Sequence, residues 1–404
     1  MRSTTFRWTA VAAALVAVAG ACGSSNDSSS SPTEAPTSAS ATTGAAATTG
    51  AAATTGGSAA PGTGSAGEQF PESIFGNLSG TVGYMDASGG TVAQAKNDTV
   101  WKNFTDQTGV KLQQDFQADT SKFVALADSG ADIPWDVLEI PTVAEFEALK
   151  AKGLLQPLDT SVVPLDQMET TQDPLGVAVE LYTANVTWNT DKWPLSGKHP
   201  EGLEDVFNTK DFPGKRCMFN YPEFGATLES ALLADGVPPD QLYPLDVDRA
   251  LKKLDTIKSD IVWWDTGAKD MELFASGECD IGIAWPGRVL ARVQDENAPL
   301  AIGWGSSIMA NSVLAIPKDA PHPELGNALI SWFLRDKQGQ IDYVNRTSYI
   351  TQTKDLSAAD DYPEAIRTWL PLGDNAAGAI PQDDKYYAAN MDDITKKFTA
   401  WLAQ

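Results

Sequence analysis

The stretch Phe212–Arg288 constrains the fold more than any other part of the chain. It reads FPGKRCMFNYPEFGATLESALLADGV, then an amphipathic run over Asp246–Lys258 with Leu251, Leu254 and Ile257 facing in, then WWDTGAKDMELFASGECDIGIAWPGR. Short apolar runs alternate with segments of helical period, so the stretch predicts strand, turn, helix, helix, a polar-aromatic loop, helix and a buried strand ending at Trp285. Polar and aromatic residues gather where strands stop: Asn220, Tyr221 and Glu223 after the first, Trp263 to Thr266 midway, Trp285 and Arg288 after the last. In α/β folds, loops outside the carboxyl ends of strands are where ligands sit.

The same alternation begins at Gly80. Strands are predicted over Thr81–Met85, Lys111–Phe116 and Asp136–Glu139, with helices to about Thr108, over Ser121–Ser129 and over Val143–Lys152. Strands alternating with helices argue βαβ units and mostly parallel sheets. Gly176–Asn185 is a near-continuous apolar strand and the expected first crossover between two lobes, and Lys215–Trp285 builds the second lobe. Ser312–Pro317 reads as a strand returning to the first lobe, followed by one helix over Pro323–Gln340 and a last helix over Met391–Trp401.

The N-terminus sets the compartment. Arg2 and Arg7 precede the apolar run Ala10–Ala19, and Val18-Ala19-Gly20-Ala21-Cys22 is a small-residue cleavage site ending in cysteine. Residues 1–21 are therefore expected to be a signal peptide, with Cys22 lipidated after cleavage. The apolar run is too short for a membrane span of about 20 residues. Residues 22–69 are mostly Ser, Thr, Ala, Gly and Pro with a repeated Ala-Ala-Ala-Thr-Thr-Gly, a composition that buries no core and serves as a flexible tether. Without its leader the chain has 27 basic and 53 acidic residues, a formal charge of −26. That surface repels nucleic acid and is compatible with cationic ligands. Once Cys22 is lipidated, Cys217 and Cys279 remain in an oxidising compartment, on or beside strands of one lobe. The residues leave open a disulfide or two separate buried thiols.

The order FPGKR, ALLADGV, LYPLD, WWDTGA, SGECDIGIAWPGR resembles the extracellular solute-binding proteins of ABC importers, in the branch containing the spermidine/putrescine binders. The resemblance covers roughly residues 76–404. It implies a two-lobed α/β periplasmic-binding-protein fold of type II, with discontinuous lobes and the ligand between them. Lobe 1 is expected over 76–184 plus 309–355, and lobe 2 over 185–308 plus 356–404. The resemblance further implies that Trp285 lines the cleft, that Glu223 receives an ammonium group and that Tyr349 is a cleft tyrosine. Where the polyamine binders carry a Trp and, two residues on, an Asp, this chain has Ala310 and Ser312, with Asn311 between them.

The residues themselves add further candidates. Tyr84, Trp264, Trp285, Trp304 and Tyr349 fall at or near strand ends and could hold an alkyl-ammonium by cation–π attraction, or fill a core. Asp86 and Asp265 are candidate amine acceptors; Ser88, Gly89 and Thr142 sit at helix starts that favour anions or polar atoms. Arg288 could take a carboxylate opposite Glu223, or form a surface ion pair. Enzyme chemistry finds little. Asp265-Thr266-Gly267 has no second acidic triplet to share a site with, and His199 and His322, the only histidines, both adjoin prolines. Tyr386-Tyr387 falls too near the C-terminus for the tyrosine pair of ferric-ion binders. The expectation is a monomeric, non-enzymatic receptor without cofactor or metal, working with a membrane permease. Its solute is amine-containing and polyamine-like, or alternatively a zwitterionic amino-acid derivative or opine-like compound. A surface sensor or adhesin lipoprotein is the rival of a different kind.

Overall fold

The computed structural model describes residues 70–116, 120–169 and 172–404. The leader, Cys22 and the tether lie outside the described residues. Strands β1 (Thr81–Asp86), β2 (Lys111–Phe116) and β3 (Val137–Ile140) are parallel neighbours, with helix α1 (Gly90–Lys96) leaving the end of β1. Helix α2 (Val143–Ala151) follows β3, and its N-cap Thr142 accepts a hydrogen bond from the Glu145 N–H at 3.1 Å. After β4 (Leu155–Gln156) the chain enters β5 (Gly176–Asn189).

The second half repeats the scheme. β6 (Arg216–Phe219) lies between β7 (Ile261–Trp264) and β8 (Ile281–Ala284), all parallel. Helix α3 (Thr227–Ala234) follows β6, α4 (Gly267–Ala275) follows β7 and α5 (Pro286–Glu296) follows β8. β9 (Leu300–Pro317), helices α6 (Pro323–Arg335) and α7 (Lys337–Thr347), β10 (Ala379–Pro381) and α8 (Asp384–Leu402) complete the chain.

The strand order β2-β1-β3-β9-β5-β8-β6-β7 shows what joins the halves. β5 and β9 are long antiparallel strands that pair with each other along most of their length, while β3 takes one edge of the pair and β8 the other. Sheets are thus parallel within each lobe and antiparallel only at the centre. Each lobe has its own apolar core: Tyr84, Trp101, Phe104 and Trp332 anchor one, Trp188, Met218, Leu228 and Trp401 the other.

Two expectations change in detail. The helix predicted over Pro323–Gln340 is two helices, because Asp336 leaves helical dihedrals and caps α7 by accepting from the Gly339 N–H at 2.9 Å. The returning strand is three times longer than Ser312–Pro317. Gly303, Gly305 and Ser306 mask its first half in the sequence, yet Gly303 is needed there, since a Cβ would meet the Glu201 carbonyl.

Cys217 and Cys279 are bonded, at a Cα separation of 5.7 Å, tying β6 to the entry of β8. The bridge closes a sequence separation of 62 residues. Cys217→Ser is expected to lower the melting temperature under oxidising conditions, by an amount equivalent to about 2–4 kcal/mol. Reduced and oxidised wild-type protein melting together would show that the bridge contributes nothing.

Candidate functional site

The first lobe supplies a charged floor. Glu139 on β3 and Glu180 on β5 interrupt apolar strands, and both side chains turn toward the end of β1. Lys96 from α1 lies between them, in contact with the Glu139 carboxylate and 3.3 Å from Glu180 Oε1. The Tyr84 hydroxyl donates to Glu139 at 2.6 Å, the Ser88 hydroxyl at 2.7 Å, and the Ser312 hydroxyl donates to Glu180 at 3.1 Å. All three ionic side chains are buried. Burial opposes the Lys96 charge, but Glu139, Glu180 and Asp86 outweigh it and hold the ammonium above the usual lysine range. Burial and repulsion from Glu139 push Asp86 up to about 7, and its carboxylate accepts from the Ser88 and Gly89 N–H groups.

The second lobe supplies an aromatic wall. The loop after β6 carries Tyr221, Glu223 and Phe224, and Phe224 and Ala226 hold positive φ of 42° and 54°. Such left-handed geometry in non-glycine residues costs of order 1–3 kcal/mol each and persists only where the surroundings impose it. Here the Trp285 indole N–H donates to the Phe224 carbonyl at 3.1 Å and its ring stacks on Phe224, centroids 5.8 Å apart. Glu223 is fully buried beneath this loop, neither carboxylate oxygen makes a close hydrogen bond, and the neighbouring Thr142 hydroxyl offsets only part of the burial. Burial, reinforced by the charge of Glu145, pushes its carboxyl up to about 8. Arg288, in the first turn of α5, extends across the gap, and its Nη2 donates to the Ser88 carbonyl of the other lobe at 2.6 Å.

Between these walls lies an inner cavity of about 80 Å³, bounded by Glu139, Glu180, Tyr182, Tyr349, Ser312 and Trp285. It shares Ser88, Phe224, Trp285 and Arg288 with an outer cleft of about 550 Å³ that also reaches Glu223 and Asp265. The arrangement can grip a small molecule with a cation at one end and an anion at the other.

The structure brings Ser88, Glu223, Asp265, Trp285, Arg288, Ser312 and Tyr349 to this cleft. Others predicted for the site stand elsewhere. Tyr84 and Asp86 are fully buried behind it, one supporting Glu139 and the other closing the turn after β1. Thr142 caps α2. Trp264 is core, edge-on to Trp285 with centroids 5.0 Å apart, because β7 turns Trp263 and Trp264 to opposite faces of the sheet. The Asn311 amide oxygen accepts from Gln352 at 2.6 Å, outside both cavities. The Trp304 indole donates to the Thr368 carbonyl. Sequence reasoning missed Glu139, Glu180, Lys96, Tyr182 and Phe224. A carboxylate inside an apolar strand, as in VLEI and VAVELY, was the available signal for two of them.

Comparison with known proteins places this geometry. A family model described as bacterial extracellular solute-binding protein matches residues 99–368, two-thirds of the chain. The chain belongs to this family. The receptor is 29% identical over 325 residues to the gamma-aminobutyric acid-binding protein of Pseudomonas aeruginosa, covering 78% of this chain and 89% of that one. Among solved structures, the Atu4243-GABA receptor matches with a TM-score of 0.70 at 31% identity, over 80% of this chain and 98% of the other. PBP AgtB from A. tumefaciens R10, in complex with agropinic acid, matches with a TM-score of 0.71 at 26% identity, over 80% and 99%. The receptor therefore has the two-lobed type II binding-protein fold.

Proposed function

We propose that the receptor serves an ABC importer, is held at the outer face of the cytoplasmic membrane by lipid on Cys22, and captures a small zwitterion carrying an ammonium and a carboxylate. One observation carries the reading: a buried carboxyl without a close hydrogen bond, Glu223, and a guanidinium with an unpartnered Nε–H, Arg288, share one interlobe cleft. Arg288 with Ser88 takes the solute carboxylate; Glu223 takes the ammonium; Trp285, Phe224, Tyr182 and Tyr349 enclose the methylenes between. Asp265 stands exposed at the rim, and Ser312 acts through Glu180. The two lobes close on the solute, and the closed form docks on the permease. Leu356, Tyr362, Ile366 and Leu370 pack in the first lobe's core, so that lobe extends beyond the expected 309–355. Relatives named for GABA support a compact zwitterion over a polyamine, and the agropinic acid held by another relative shares the carboxylate. So does electrostatics, since a ligand with only positive charges would face Arg288 without an anion to offer it.

Calorimetric titration of the mature chain with 4-aminobutyrate, agropinic acid, putrescine and spermidine tests this. Saturable binding of a zwitterion and none of the polyamines is expected. Binding of polyamines alone would overturn it. Trp285→Ala is expected to weaken the bound zwitterion by about 1–3 kcal/mol through lost contact with the ammonium and methylenes. Unchanged affinity with a lowered melting temperature would make Trp285 a core residue only.

A further inference from the structure

Asp270 is a buried carboxyl that the binding site does not use. It lies in the first turn of α4, has no exposed surface, and neither carboxylate oxygen has a hydrogen-bond partner among the described residues. Burial pushes its carboxyl well above the usual range, and the opposing pull comes from Arg288. Arg288 is itself 8% exposed with its Nε–H unpartnered. Its side chain lies flat on Gly267, three residues before Asp270, where any Cβ would overlap Nε. On the other side its Nη1 is 3.0 Å from where a Cβ of Gly90 would stand, and its Nη2 bonds the Ser88 carbonyl. The guanidinium therefore sits between an acceptor of the opposite lobe, which it bonds, and a carboxylate of its own lobe, which it does not.

We propose that Asp270 is a positioning residue that holds Arg288 while the lobes are apart, and that Arg288 gives up this pair for the Ser88 carbonyl and the solute carboxylate on closure. A buried carboxylate left without hydrogen bonds raises the free energy of the closed state. Ionised and paired with Arg288, the group costs less, so Asp270 keeps the empty receptor open. Solute supplies the compensation by adding contacts that exist only when both lobes meet. For its effect on affinity, the inference rests on Arg288 as the carboxylate ligand; its effect on the empty protein does not.

The test compares wild-type and Asp270→Asn mature chains by small-angle X-ray scattering without solute and by titration with 4-aminobutyrate. The empty Asp270→Asn protein is expected to shift toward the compact scattering profile, and to bind the probe about tenfold tighter. An unchanged empty profile, or weaker binding at an unchanged melting temperature, overturns the proposal. Should 4-aminobutyrate bind neither protein, the zwitterion reading fails while the empty profiles still decide the role of Asp270. If Asp270→Asn does not fold, arginine-labelled wild-type protein serves instead, with the Arg288 Nε–H signal identified by its loss in Arg288→Lys. A low-field, carboxylate-bound signal in the empty protein is expected. A signal at the position of a solvated guanidinium overturns the pairing.

Discussion

Arg288→Ala is expected to weaken binding of a zwitterionic solute by about 2–5 kcal/mol, the range for truncating one partner of a buried, hydrogen-bonded charge pair. Two losses combine. The solute carboxylate loses its cationic partner, and the lobes lose the bond from Nη2 to the Ser88 carbonyl that spans the cleft. Arg288 also offsets part of the burial of the Asp270 carboxyl, so the variant is expected to melt lower as well. Arg288→Lys separates the effects, because it keeps a positive charge near Asp270 but not the planar fork that binds a carboxylate bidentately. Calorimetry at fixed pH should show both variants weakened, with the melting temperature nearer wild type in the lysine form. Wild-type affinity in Arg288→Ala would remove Arg288 from the binding site.

The second large effect concerns Glu223 and pH. In the empty site burial holds its carboxyl near 8, so at neutral pH the group is mostly protonated. An ammonium needs the carboxylate, so binding it must expel a proton. Affinity should therefore rise as pH increases from about 6 toward 8, by at most about tenfold per unit, and level off above. Glu223→Gln should bind the solute about 10- to 100-fold more weakly at pH 8, the penalty for a lost charge-assisted hydrogen bond, and lose the pH dependence. Stability moves the other way. A carboxyl whose folded pKa is raised destabilises the fold as pH climbs from its unfolded value toward 8. The empty Glu223→Gln protein should consequently melt higher than wild type at pH 8 and no differently below pH 4. Titrations in buffers of different ionisation enthalpy would reveal the released proton. Binding that is flat from pH 6 to 8 would mean that another group receives the amine.

The α/β alternation was legible because each strand is an apolar run bounded by turn residues: Lys111–Phe116 was read to the residue. The second long strand was only half legible, since Gly303 and Gly305 break the apolar pattern where backbone approaches backbone. Such a contact is a property of two distant segments, not of either one. Among site residues, those at ends of strands in the second lobe were found, because position after a strand alone brings Glu223, Trp285 and Arg288 to the cleft. Position misled for Asp86 and Trp264. A one-residue change along a strand reverses the face a side chain takes, and the neighbouring Ser88–Gly89 turn captured the Asp86 carboxylate.

The sequence by itself determined the α/β class, the strand ends that carry chemistry, and the absence of an acid and an aromatic at Ser312 and Ala310. Tertiary structure decided the charges. Lys96 meets Glu139 and Glu180 from separations of 43 and 84 residues, and Ser88 meets Arg288 across 200. Electrostatic energy depends on distance and on exclusion of water, and neither is written locally in a chain. Only the folded lobes leave Glu223 and Asp270 dry and without close hydrogen bonds, and that desolvation is what raises both carboxyls.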